Sequence, residues 1–205
     1  DRAFLNGEAV SIKTLLKTLS NLGANYLVTV DIHKEDSLKF FNGIAVNVNP
    51  IPLFANELSK ITENPLIVAP DQGASSKAFG LSQLISGAGY VVFRKYRDRI
   101  TGLIKHEYID VDVRGRDVIV VDDIISTGST IASIASYLVS KGASKVYIAC
   151  SHGLFVGNSL AKIRSSGVSG VYTLNTVPVP QEVNVIDVTS LIASSLRSLI
   201  TNLIK

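Results

Sequence analysis

The sequence predicts an α/β fold: a mostly parallel sheet flanked by helices, with part of a second, similar domain. Three observations predict it. Strand-like and helix-like segments alternate along the chain. The run Val118-Ile119-Val120-Val121 consists of four β-branched residues with no polar alternation, the pattern of a strand buried on both faces. Polar residues from four separate segments fall at or just past the carboxyl ends of predicted strands, the edge at which open α/β sheets bind ligands.

In chain order, Val10, Leu15, Leu16, Leu19 and Leu22 make an apolar helical stripe, and Gly23 is a natural stop. Residues 26–30 read as a strand ending at Asp31-Ile32-His33. Residues 52–60 read as a short helix, and 66–69 as a strand ending at Pro70-Asp71-Gln72-Gly73. A helix over 75–85 precedes a strand over 90–93. The segment 94–102 is charged and turn-prone, and short runs at 104–109 and 111–113 suit an antiparallel ribbon. The central strand over 118–121 follows. Its helix, marked by Ile131, Ile134 and Leu138, runs to Lys141. A strand over 145–150, a helix over 158–164, strands over 170–174 and 183–188 and a final helix close the chain. This order suggests a remnant of an amino-terminal domain over 1–54 and a catalytic domain over 55–205. The carboxyl-terminal helix is able to cross between them.

Composition excludes some classes. With 46% hydrophobic and 18% charged residues over 205 positions, the chain suits a packed domain and not a disordered one. A net charge of +3 does not demand a nucleic-acid partner. No apolar run approaches the roughly 20 residues that span a bilayer. The opening Asp1-Arg2-Ala3-Phe4 carries no signal-peptide pattern, and the single Cys150 fits a reducing cytoplasm. Cys150 ends an apolar run and reads as a buried structural thiol. The lack of any methionine, together with an opening that reads as mid-protein, leads us to expect a preceding segment.

The chemistry concentrates after the central strand. Asp122 and Asp123 are followed by Ser126, Thr127, Gly128, Ser129 and Thr130. Backbone N–H groups of such a turn and the amino end of the next helix can hold a phosphate. The acids can accept hydrogen bonds from sugar hydroxyls or help hold a divalent cation. A sugar phosphate satisfies both halves; a solvated strand-to-helix turn is the plain alternative. His33 can donate to a phosphate or ligate a metal, although a lone loop histidine is often structural. Asp71 can serve a ligand or simply cap the following helix through an Asx-type turn. Gly73 lets the backbone approach a ligand closely. The basic run Arg94 to Arg99 is either a solvated face or a loop that brings Lys95 and Arg97 onto a transferring phosphoryl group.

Taken together these motifs resemble the phosphoribosyl pyrophosphate synthetase family, whose phosphate loop is shared with type I phosphoribosyltransferases. The residues that carry the resemblance are the loop at 122–130, Val30-Asp31-Ile32-His33 with Phe40-Phe41-Asn42-Gly43, the Pro-Asp-x-Gly element at 70–73, and the Lys-x-Arg element at 95–97. Ser151-His152-Gly153 and Asn175-Thr176 resemble two further family turns. The resemblance implies a type I phosphoribosyltransferase-like fold and synthesis of 5-phosphoribosyl 1-pyrophosphate from ATP and ribose 5-phosphate, with release of AMP. It implies Lys95 and Arg97 as catalytic residues and Asp122, Asp123, Ser126, Thr127, Gly128, Ser129 and Thr130 as the ribose 5-phosphate site. His33 and Arg2 would bind nucleotide, and His33 and Asp71 would bind Mg²⁺. It also implies a homodimer or higher oligomer, hexameric in many relatives, and phosphate or ADP as effector, with no nucleic-acid or membrane partner. Ser126 departs from the family pattern, in which many relatives carry an acid. The sequence opens at Asp1, just after the position at which the family carries an Arg-Gln pair. Two other readings stay open: a phosphoribosyltransferase acting on a nucleobase, and a non-catalytic protein that regulates a synthetase.

Overall fold

The computed structural model describes residues 1, 7–97, 104–107 and 111–203. Along the chain run α1 (Ser11–Asn21), β1 (Tyr26–Val30), β2 (Ile44–Val48), α2 (Ile51–Leu58), β3 (Leu66–Ala69), α3 (Ser75–Leu84), β4 (Gly89–Val92), β5 (Arg94–Arg97) and β6 (Ile104–Glu107). The strand β7 (Asp117–Ile125) precedes α4 (Ser129–Ser140). Then come β8 (Lys145–Gly153), α5 (Ser159–Ser165), β9 (Gly170–Leu174), β10 (Asn184–Ile186) and α6 (Thr189–Leu203). The chain forms two units, Asp1–Pro50 with Val188–Lys205, and Ile51–Asp187.

In the first unit β1 and β2 pair in parallel, from Tyr26↔Ile44 to Val30↔Val48. α1 packs on the 3-10 turn Glu35–Phe40, and α6 packs on both strands. Of the apolar stripe on α1, only Leu16 is buried; Leu15 and Leu22 are exposed. β2 is not foreseen by the sequence pattern. Its Ile-Ala-Val-Asn-Val run is only partly buried and lacks the dense apolar character of the inner strands.

In the second unit six parallel strands run in the order β10-β9-β8-β7-β3-β4. Val118, Ile119, Val120 and Val121 are completely buried, as are Ile67, Val68, Ile148 and Ala149 on the neighbouring strands. Burial of each such side chain favours folding by roughly 1.5–3 kcal/mol before chain entropy is counted, so the centre of this sheet is the anchor of the unit. Its core also takes Ile131, Ile134 and Leu138 from α4 and Ile163 from α5.

Two expected elements differ in extent. β7 continues past its acids to Ile125, because Asp122 pairs with Cys150, and Ile124 and Ile125 pair with His152 and Gly153 on β8. His152 therefore lies in a strand and not in a turn. The antiparallel ribbon exists, but its partners are β5 and β6, with Lys95 opposite His106. The basic segment thus supplies a strand where a charged turn was expected. Residues 111–113, expected in that ribbon, form no strand, and 108–110 lie outside the described residues.

Candidate active site

β3 and β7 are neighbours in the sheet; Asp71 follows the carboxyl end of β3, and Asp122 and Asp123 lie in the last part of β7, just before it ends at Ile125. After β3 the chain turns through Pro70. Asp71 adopts extended backbone and caps a short 3-10 turn, its Oδ1 accepting a hydrogen bond from the Gly73 N–H at 2.8 Å. The Asx-type turn is therefore present. It uses one carboxylate oxygen and leaves Oδ2 without a hydrogen bond among the described residues.

On β7, the Asp123 N–H donates to Asp122 Oδ1 at 2.9 Å. Burial, then the Asp123 charge and more weakly the Asp71 charge, push the Asp122 carboxyl up to about 7. Three carboxylates thus share one sheet edge closely enough to feel each other. Such an edge favours a cation or hydroxyl donors, since either relieves the repulsion.

From Ile125 the chain leaves the sheet. Ser126 and Thr127 are exposed, Gly128 is buried, and α4 starts at Ser129. Gly128 has φ +67°, a left-handed conformation in which glycine avoids the Cβ penalty. A Cβ there would lie 2.9 Å from both Ile163 Cδ1 and Ser159 Oγ. Glycine is thus required twice, for the turn and for the close approach of α5. The N–H groups of Thr127 and Gly128 donate to no backbone carbonyl among the described residues. The hydroxyls of Ser126, Thr127 and Thr130 make no hydrogen bond there either. The turn is held from outside: the Leu154 and Phe155 N–H groups donate to Ile125 O, and the Val156 N–H donates to Ser126 O. α4 has no acidic residue in its first turn and no side-chain cap. Its amino end, carrying roughly half a positive charge, is uncompensated within the helix. Free N–H groups, free hydroxyls and a positive helix end beside two acids make a place for a phosphorylated polyol.

Amino-acid comparisons identify the family. A ribose-phosphate pyrophosphokinase from Aeropyrum pernix is 39% identical over 99% of this chain, which spans 67% of that protein. One from Sulfurisphaera tokodaii is 40% identical over 94% of the chain, again spanning 67% of the relative. The chain belongs to the ribose-phosphate pyrophosphokinase family. The phosphoribosyl synthetase-associated domain matches residues 107–203. The phosphoribosylpyrophosphate synthetase from Mycobacterium smegmatis superposes with a TM-score of 0.87 at 25% identity, covering 98% of this chain and 67% of that one.

Within this pyrophosphokinase chain, Asp71, Asp122, Asp123 and the turn 126–130 all belong to the second unit and its carboxyl sheet edge. Lys95 and Arg97 lie on β5, which starts directly after Phe93. The Phe93 N–H still donates to Ala69 O at 2.9 Å, so the basic strand leaves from the same edge. His33 belongs to the first unit. It follows β1 just after Asp31, a buried residue in left-handed backbone at φ +45°. Asn47 Oδ1 accepts from the Ile32 N–H at 3.0 Å and from Thr29 Oγ1 at 3.2 Å, which fixes this turn. The half-exposed His33 imidazole is 3.5 Å from Asp1 Oδ2. Arg2 lies outside the described residues.

The other notable residues are structural. Cys150 is fully buried, donates to Thr173 Oγ1 at 3.5 Å, and is pushed up to about 12 by burial. His152 Nδ1 lies 2.9 Å from Thr176 Oγ1, which donates to Ser151 O, so these contacts tie β8 to the segment just after β9. One contact escapes sequence reasoning. Lys162 Nζ donates to Ser129 Oγ at 2.9 Å across 33 residues. No local pattern signals it.

Proposed function

We propose that this chain binds ribose 5-phosphate at the turn 126–130 and catalyses its pyrophosphorylation by ATP, giving 5-phosphoribosyl 1-pyrophosphate and AMP. One observation carries the reading. In a member of the pyrophosphokinase family, paired acids and an uncapped phosphate-type turn share one sheet edge. In the proposed reaction the ribose 1-hydroxyl oxygen bonds to the β-phosphorus of ATP, the bond from that phosphorus to the α,β-bridging oxygen breaks, and AMP leaves. The turn would hold the 5-phosphate through N–H groups and hydroxyls. Asp122 and Asp123 would accept hydrogen bonds from ribose hydroxyls and set the angle of attack. Positioning of this kind is worth several kcal/mol of barrier, so it is a large part of the proposed catalysis. Lys95 and Arg97 would neutralise charge on the transferring group. The half-exposed His33, and Arg2, would contact the nucleotide.

Mg²⁺ fits the donor set. Among the described residues no three His, Cys, Asp or Glu side chains form a self-sufficient metal site. Magnesium, however, commonly uses one or two carboxylates together with substrate phosphates and water. The mutual repulsion at Asp71, Asp122 and Asp123 favours such a cation. Asp71 would hold it in the second unit; the family resemblance also suggests His33, in the first unit, as a magnesium ligand. When bound, it would neutralise charge on the phosphate oxygens. The resemblance further supports a homodimer or larger homo-oligomer, phosphate or ADP as effector, and a cytoplasmic setting. Among the described residues no helix is long and apolar enough to cross a membrane.

Product analysis tests the reading. Incubation of the purified full-length protein with ATP, ribose 5-phosphate and Mg²⁺ should form AMP and phosphoribosyl pyrophosphate in equal amounts. Release of pyrophosphate from phosphoribosyl pyrophosphate only when a nucleobase is added, with no AMP formed, would replace the reading with a phosphoribosyltransferase.

A further inference from the structure

A cation beside a helix amino terminus opposes the helix dipole, whereas an anion there is favourable. Yet the side chain that reaches the first turn of α4 is a lysine. Lys162, from α5, places its ammonium 2.9 Å from Ser129 Oγ. No carboxylate pairs with Lys162 among the described residues, and α4 offers no acid in that turn. A second group of α5 is also left unsatisfied. Ser159 is 1% exposed, its Oγ makes no hydrogen bond, and it lies 2.9 Å from where a Cβ on Gly128 would stand. Without a ligand, the contact between α5 and the turn therefore gathers an unpaired cation, an uncapped helix end and an unpartnered hydroxyl. A bound dianion reverses the sign of the electrostatic part of this arrangement.

We propose that Lys162 is a positioning residue of the sugar-phosphate site: it tethers the first turn of α4 through Ser129 and adds positive charge where the 5-phosphate arrives. This inference rests on the ribose 5-phosphate reading of the turn. Lys162 acts through Ser129 and through its field, so it governs how tightly the sugar phosphate is held and leaves the displacement at phosphorus to other groups.

The test is steady-state kinetics on the full-length protein with Lys162→Gln and Lys162→Arg, beside direct ribose 5-phosphate binding by calorimetry. Loss of a charge-assisted hydrogen bond should raise KM and Kd for ribose 5-phosphate by about tenfold. The values of kcat and KM for ATP should stay within about twofold, and arginine should restore most of the loss. Ser129→Ala gives an independent readout if Lys162→Gln folds poorly. It should raise the ribose 5-phosphate Kd by a smaller factor, and combined with Lys162→Gln the two effects should be less than additive. An unchanged Kd in Lys162→Gln would overturn the inference, as would equal rises in both KM values or additive effects in the double variant. Failure of the underlying reading looks different, because the unaltered protein would then form no AMP.

Discussion

Gly128→Ala and Gly115→Ala form a matched pair that measures the packing of the phosphate turn. Both glycines have nearly the same left-handed backbone, φ +67° and +68°. Alanine should cost about 1–2 kcal/mol at either position from backbone conformation alone. The surroundings differ. A Cβ at Gly115 meets nothing within 4 Å, whereas one at Gly128 lies 2.9 Å from Ile163 Cδ1 and Ser159 Oγ and 3.1 Å from Ile163 Cγ1. Ile163 is fully buried and cannot swing into solvent. Overpacking of this kind adds about 1–3 kcal/mol, so Gly128→Ala should cost about 2–5 kcal/mol in all. At about 2–4 °C per kcal/mol, it should melt roughly 2–12 °C below Gly115→Ala. Thermal unfolding followed by calorimetry reads the difference directly. Ribose 5-phosphate binding should fall for Gly128→Ala and stay unchanged for Gly115→Ala. Equal melting temperatures for the two variants would refute the claim that α5 is docked onto the turn.

Other consequences follow from the site. Asp122 has its folded pKa raised to about 7 against an ordinary 3.8, so its ionised form is disfavoured in the native state. Its contribution to stability is therefore greatest below pH 4 and is lost as pH rises from about 4 to 7. Asp122→Asn should flatten that part of the pH–stability curve by on the order of 1–4 kcal/mol in chemical denaturation, and a slope unchanged by the substitution would contradict it. The same variant should weaken ribose 5-phosphate binding more than ATP binding. Lys95→Ala should lower kcat by two or more orders of magnitude, on the order expected for a lost charge-stabilising group, while ribose 5-phosphate Kd changes little. An equal loss of binding would reassign the lysine. Cys150, buried and shifted towards the thiol form, should react with a disulfide reagent only after denaturant is added; rapid labelling of the native protein would contradict its burial.

The sequence revealed the elements whose residues speak for themselves. β7, β3 and β8 are dense apolar runs, and such runs have few homes outside a sheet buried on both faces. The acids and the small hydroxyl residues after β7 carry chemistry in their order alone. What escaped was decided by partners distant in sequence. β7 extends through Asp122 and Asp123 because β8 continues beside it to Gly153. The basic segment becomes β5 because Ile104–Glu107 pairs with it. β2 is half-exposed and weakly patterned. The contact of Lys162 with Ser129 depends on how α5 lies against α4, which no window of local sequence contains. Asp71 shows a further limit: two readings competed in the sequence, and the fold forms the Asx-type turn with one oxygen while the other makes no hydrogen bond among the described residues.

The most direct test is a crystal structure of the protein with ribose 5-phosphate. The account predicts the phosphate on the N–H groups and hydroxyls of 126–130, with the ribose hydroxyls on Asp122 and Asp123. The larger second unit also has a 940 Å³ cleft lined by Lys60, Arg116 and Lys145, at the opposite, amino-terminal edge of its sheet. A sugar phosphate seated in that cleft, with the turn after β7 empty, would contradict it.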